Sequence, residues 1–169
     1  MSIVIDSCEV IKDDWLRYDR QRPIGNSSRV VVVAADLAKY REFFKRAVFQ
    51  LGVELEVTAE IDAIEEWLPR LDLVILNFES FADGRAFSQA RILRERFGYR
   101  GDIRARGEVL RDQLPFMQRC GFNQFELSDS EDLSRVFDSF TEISGNYQPD
   151  LESGYGCTRE PENQLRYAG

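Results

Sequence analysis

Two uninterrupted apolar runs, Val30-Val31-Val32-Val33 and Leu73-Val74-Ile75-Leu76, constrain this chain more than any other feature. Runs this rich in β-branched residues are buried on both faces, as the strands of a parallel sheet are. Parallel neighbours need a crossover, and helical stripes fill the intervals between the strands. After Asp36, Leu37, Tyr40, Phe44, Ala47 and Leu51 recur at helical spacing, and Gly52 stands where that helix would end. Val53, Leu55 and Val57 alternate as a strand, and residues 61–68 read as a short helix stopped near Pro69. Ala86, Ala90, Leu93 and Phe97 form a third stripe closed by Gly98, followed by a short strand at 103–105. Residues 109–120 are helical in pattern, with Pro115 expected to kink or split them. A last strand at 122–127 precedes a helix with Leu133, Val136, Phe137 and Phe140 on its apolar face, capped by Asp129 or Ser130.

This alternation predicts an α/β fold: an open parallel sheet of about five strands with helices on both faces, flavodoxin-like, with a partial (β/α) barrel as the alternative. Three regions follow from composition. Residues 1–29 read as an extended segment or hairpin, 30–143 as the α/β domain, and 144–169 as a polar tail expected to be mobile.

Histidine is absent, which removes a His general base, Ser-His and Cys-His dyads, and His-ligated metals. Cys8, Cys120 and Cys157 form neither a disulfide framework nor a CxxC pair. No metal site and no bound cofactor is expected, since GxGxxG, Fe–S and haem patterns are missing. The start lacks a basic, apolar leader and no run approaches the roughly 18 apolar residues of a membrane span, so the expected location is the cytoplasm. Net charge is −8, which argues against nucleic acid as a partner. Charge is uneven, however: nine arginines and four acids lie between Arg85 and Arg119.

That arginine-rich segment carries the functional expectation. Ligands of open α/β sheets bind beyond the carboxyl ends of the strands. Asp83, Arg85, Arg104, Asp112 and Gln113 are expected to converge there. Arg85, Arg104 and Gln113 would hold an anion, with Asp83 and Asp112 as candidate acid/base groups. Arg104 and Arg106 share one face of their strand, opposite Ile103 and Ala105. Ser88, Gln89, Arg111, Arg119 and Cys120 are secondary candidates. The competing reading is a structural network in which Asp83, Glu108 and Asp112 neutralise Arg85, Arg104 and Arg106, with Arg91, Arg94 and Arg96 as a solvated helix face. The layout also resembles a phospho-acceptor receiver domain, but Asn77 stands where that chemistry needs an aspartate and Leu127-Ser128 where it needs a lysine.

The stretches Phe81-Ala82-Asp83-Gly84-Arg85, Ser88-Gln89-Ala90-Arg91, Leu93-Arg94-Glu95-Arg96 and Gly98-Tyr99-Arg100-Gly101 resemble a bacterial family of unknown function. So do Arg104-Ala105, Val109-Leu110-Arg111-Asp112-Gln113 and Arg119-Cys120-Gly121-Phe122, and further upstream Asp13-Asp14-Trp15 and Gly52-Val53-Glu54-Leu55. The sequence departs from the family at Ala86-Phe87, Arg106 and Leu114-Pro115-Phe116, which makes Arg104 a better candidate than Arg106 for a shared role. Members are often labelled probable oxidoreductase and are encoded beside sulfite or nitrite reductase. The resemblance implies an accessory protein of reductive sulfur assimilation that binds an anionic metabolite, the sulfite or nitrite reductase, or another sulfur-assimilation protein. The alternative it leaves open is a small enzyme acting on an anionic sulfur or nucleotide metabolite.

Overall fold

The computed structural model of the chain describes residues 2–6, 9–19, 21, 24, 27–80 and 83–141. Its strands are β1 (Ser2–Asp6), β2 (Val10–Ile11), β3 (Leu16–Arg17), β4 (Arg29–Val33), β5 (Gln50–Leu55), β6 (Leu71–Phe78), β7 (Asp102–Gly107) and β8 (Gln124–Ser128). They make one eight-stranded sheet in the order β2-β1-β8-β7-β6-β5-β4-β3. From β3 to β8 each strand pairs in parallel with the next in sequence, and β1 joins β8 and β2 antiparallel.

That order corrects the flavodoxin-like expectation of about five strands and fits the partial barrel. A doubly wound sheet reverses its strand order at a switch point. Here β3 to β8 advance in one direction, so crossovers of one hand deliver every helix to the same face. The packing agrees. Outward residues Val30, Val32, Val53, Leu55, Val74, Leu76, Ile103, Ala105 and Phe125 share a core with helix residues Leu37, Phe44, Ile64, Trp67, Ala90, Leu93, Met117 and Val136. Among the described residues, the opposite face has a small apolar cluster of Val31, Leu73 and Ile75, with Trp15 packed against it and no helix residue in it. Each fully buried Val, Leu, Ile or Phe contributes about 1.5–3 kcal/mol, so the helix-covered face supplies most of the driving force.

Chain length forces the sheet to curl. Laid flat, eight strands at about 4.8 Å per step would hold the edge strands β2 and β3 about 34 Å apart. Residues 12–15 connect Ile11 at one edge to Leu16 at the other, and that connection reaches at most about 18 Å. The sheet is therefore a half-barrel whose open side is crossed by a strap, residues 12–15, which belongs to no helix or strand.

The helices are α1 (Ala34–Lys39), α2 (Arg41–Lys45), the 3-10 helix Ile61–Arg70, α3 (Arg85–Arg91) continued by the π-helical turn Ile92–Arg96, α4 (Leu114–Arg119) and α5 (Leu133–Thr141). Several boundaries differ from the sequence pattern. Gly52 does not end a helix but lies inside β5, because an added Cβ there would stand 2.9 Å from Val31 Cγ2 and 3.2 Å from the Trp15 ring. Pro115 does not kink α4: it sits in the first turn, where its missing N–H would have had no helical partner. Among the described residues before 30, β1 and β2 pair antiparallel, as the expected hairpin would, and β1 also extends the β8 edge and β3 the β4 edge. Cys8, Cys157 and the polar tail 144–169 lie outside the described residues.

Candidate functional site

Side chains alternate across a strand, so the inner face of the half-barrel is read from every second residue. Asp102, Arg104 and Arg106 on β7 turn inward while Ile103 and Ala105 enter the helix-covered core. On β8 Gln124 and Glu126 turn inward, on β5 Gly52 and Glu54, and on β6 Leu73, Ile75 and Asn77. No helix of the described residues covers this face, which is why it tolerates charge.

Its upper layer, toward the carboxyl ends of the strands, is closed on itself. Glu54 is 8% exposed and accepts a hydrogen bond from Asn77 Nδ2 at 2.9 Å. Arg17 of β3 also donates to Glu54, and Arg106 Nη1 lies 3.6 Å from it. Arg106 Nε is 3.3 Å from Glu126. Asn77 Nδ2 also reaches the Leu55 carbonyl at 3.3 Å, so the amide is used as a donor, a role an ionised aspartate could not fill.

The lower layer is different. Arg104 is 2% exposed, the largest fully buried side chain of the described residues. Its Nε donates to Gln124 Oε1 at 3.0 Å and its Nη1 to Asp13 of the strap at 3.0 Å. Gln124 Nε2 donates in turn to Asp102 Oδ2 at 2.6 Å, and Asn123 Nδ2 to Asp102 Oδ1 at 2.8 Å. Nη2 has no protein partner among the described residues. Arg104 borders a cleft of about 510 Å³ at the amino ends of β4 to β8, roofed by Ile11, Lys12 and Trp15. Among the described residues, Lys12, Arg29, Arg100 and Arg104 line the cleft against Asp72 and Asp102, an excess of two positive charges there.

Residues 52–155 match the model of a family described as bacterial protein of unknown function (DUF934). The chain belongs to that family. No curated protein matches it. The span matched by the family runs from β5 through β8 and takes in Glu54, Asn77, Arg104 and Gln124, while the strap lies ahead of it.

Of the candidates read from the sequence, Arg104 alone lines the cleft among the described residues. Asp83 and Arg85 lie at the start of α3, beyond the carboxyl end of β6, and bind each other: Arg85 Nε is 2.9 Å from Asp83 Oδ1. Arg85's side-chain and backbone hydrogen bonds hold the Asp83 carboxyl down to about 2. Asp112 is 85% exposed and pairs with Arg111 at 3.2 Å. Gln113 ends the 3-10 turn Arg111–Gln113 before α4, and Ser88 is exposed on α3. Gln89 Nε2 donates to the carbonyls of Val57 and Ala59 at 3.3 and 2.8 Å, tying α3 to the loop after β5. Arg119 stacks its guanidinium 5.7 Å from the Phe116 ring centre. Cys120 belongs to the core, where burial pushes its thiol up. These residues do not converge with Arg104: it sits low on β7, whereas Asp83, Arg85 and Asp112 follow the carboxyl ends of β6 and β7.

One arginine expected on a solvated helix face is buried instead. Arg94 is 6% exposed; it donates to the carbonyls of Gly121 at 3.0 Å and of Tyr99 and Gly101 at 2.8 Å each. The π-helical turn holds its place in the helix, with Phe97 N–H reaching back to the Ile92 carbonyl at 3.2 Å. Arg94 thereby fixes the two loops that lead into β7 and β8, the rim of the cleft.

Proposed function

We propose that the chain is an accessory binding protein of reductive sulfur assimilation. It holds an oxyanion-bearing metabolite in the cleft beneath the strap and serves sulfite or nitrite reductase as its partner. The observation that carries the binding reading is Arg104: a buried guanidinium, fixed by Gln124, in the lining of a cleft that Lys12, Arg29 and Arg100 also line. A guanidinium presents a planar fork that matches the oxygens of sulfite, sulfate or phosphate. Two or three charge-assisted contacts of about 1.5–3 kcal/mol each support millimolar to micromolar binding. The metabolic setting rests on the resemblance to proteins encoded beside sulfite reductase.

An enzymatic role for Asp83 or Asp112 has less behind it. A carboxyl held near 2 stays ionised at neutral pH and donates no proton, and Asp112 stands in solvent. Calorimetric titration of the full chain with sulfite, sulfate and phosphate tests the binding reading. Wild type should bind at least one of them and Arg104→Met none; a wild type silent to all three overturns it. Co-purification of sulfite reductase with the tagged chain tests the partner.

A further inference from the structure

We propose that Asp13 of the strap is an internal stand-in for a ligand: its carboxylate holds the guanidinium of Arg104 and is displaced when an oxyanion enters the cleft. This rests on reading the cleft as an anion site and adds how that site is regulated.

The charges of the cleft point to it. Its walls carry four cations against two carboxylates, Asp72 and Asp102. The strap brings two more carboxylates to the same cations: Asp13 to Arg104 at 3.0 Å and Asp14 to Arg29 at 2.8 Å. With them the excess of positive charge is cancelled. Asp102 is bound by Asn123 and Gln124 and sits within β7, so it cannot leave. Asp13 can. Its side chain is 41% exposed, and the strap belongs to no helix or strand.

The asymmetry of the pair sets the direction of the exchange. Arg104 is buried and needs a counter-charge at all times, because an uncompensated buried cation is costly. Asp13 is half in water and loses little by turning out. A buried cation with a removable surface partner is an exchange site. A ligand oxyanion that offers two oxygens to Nη1 and Nη2 matches the guanidinium better than the single contact from Asp13 does. Competition by Asp13 also gives selectivity. A ligand with a single acceptor oxygen gains nothing over Asp13, whereas a tetrahedral or pyramidal oxyanion accepts a second bond.

Calorimetry with inorganic sulfate and with sulfite on the full chain decides the matter, comparing wild type with Asp13→Asn, Asp13→Ser and Asp62→Asn. Asp62 pairs with Arg96 at 2.7 Å away from the cleft, so its variant controls for the change in net charge. Both Asp13 variants should bind about tenfold tighter than wild type, equivalent to about 1.4 kcal/mol, and Asp62→Asn should match wild type. If wild type binds and the Asp13 variants bind equally or more weakly, Asp13 is not a competitor, and the cleft remains an anion site without it. Equal tightening in Asp62→Asn would likewise overturn the exchange, since net charge alone would account for it. If neither wild type nor any variant binds either anion, the reading of the cleft falls, and this inference with it.

Discussion

Arg104 of β7 and Gln124 of β8 are register partners, and the guanidinium Nε of one donates to the amide oxygen of the other at 3.0 Å. Because Gln124 Nε2 is committed to Asp102, the amide can face only one way, and the arginine is aimed before any ligand arrives. A residue that binds by shape complementarity benefits from this fixation, because less side-chain entropy remains to be lost.

Replacing Gln124 with Glu tests that aim. A carboxylate there would face Asp102 across the 2.6 Å contact that the amide now bridges. The variant should lose about 1–3 kcal/mol of stability at neutral pH, with the loss easing on acidification, read from urea melts at several pH values.

Gly52→Ala should be destabilising by about 1–3 kcal/mol through overpacking. The new methyl meets Val31, Trp15 and Leu73; Val31 and Leu73 are buried in neighbouring strands, whereas Trp15 is part-exposed on the strap. The expected signature is a red shift of tryptophan emission, since Trp67 is buried at 3% exposure and reports no change. Unchanged emission and stability would mean that the strap does not rest on β5.

Arg94→Met should be the most damaging of the arginine replacements outside the cleft. It strands the carbonyls of Tyr99, Gly101 and Gly121 around a buried methionine, a loss on the order of 3 kcal/mol in chemical denaturation. Arg94→Lys should restore little, because one ammonium cannot span carbonyls that a planar fork reaches together.

Asn77→Asp should not create a phosphorylation site. It removes a donor to Glu54 and places two carboxylates side by side. Shared charge raises the titration of the pair in the folded state, so the folded form binds more protons than the unfolded chain. Stability then falls as pH rises through that titration and recovers below it. Thermal melts from pH 4 to 8 should show the deficit growing toward neutrality, about 1–3 kcal/mol at its largest.

Asp83 provides a titration with the opposite sign. Its carboxyl is held near 2 by Arg85, against an ordinary value of 3.8. The pair stabilises the fold above the ordinary value, and that contribution disappears as pH falls through about 2. Carboxyl carbon NMR should place the midpoint near 2 in wild type and return it toward 3.8 in Arg85→Leu. A midpoint unmoved by the substitution would refute the pairing.

Much of the fold was legible locally. The runs at Val30 and Leu73 are strands β4 and β6, and the alternation of Arg104 and Arg106 with Ile103 and Ala105 holds across β7. Strand order was not, because βα alternation reads the same in a doubly wound sheet and in a barrel segment. A discriminating signal was nevertheless present. Glu54, Asn77, Arg104, Gln124 and Glu126 occupy every second position of central strands, and a sheet covered by helices on both faces would leave such groups without room. The cleft itself was harder to read. Arg104 was visible in it, but Asp13 lies 91 residues away, and Lys12, Arg29 and Arg100 carry no mark of a common site.

By itself the sequence determined the alternation of strand and helix beyond residue 30, though not every boundary, because periodicity and β-branching act between neighbours along the chain. It also determined that any chemistry runs without histidine. Only the tertiary structure decided where the charges meet. Four residues of strap must reach across an eight-stranded sheet, the sheet curls to let them, and the curl brings Asp13, Arg104 and Gln124 into one hydrogen-bonded line. That line depends on chain closure between distant segments, which no local pattern encodes.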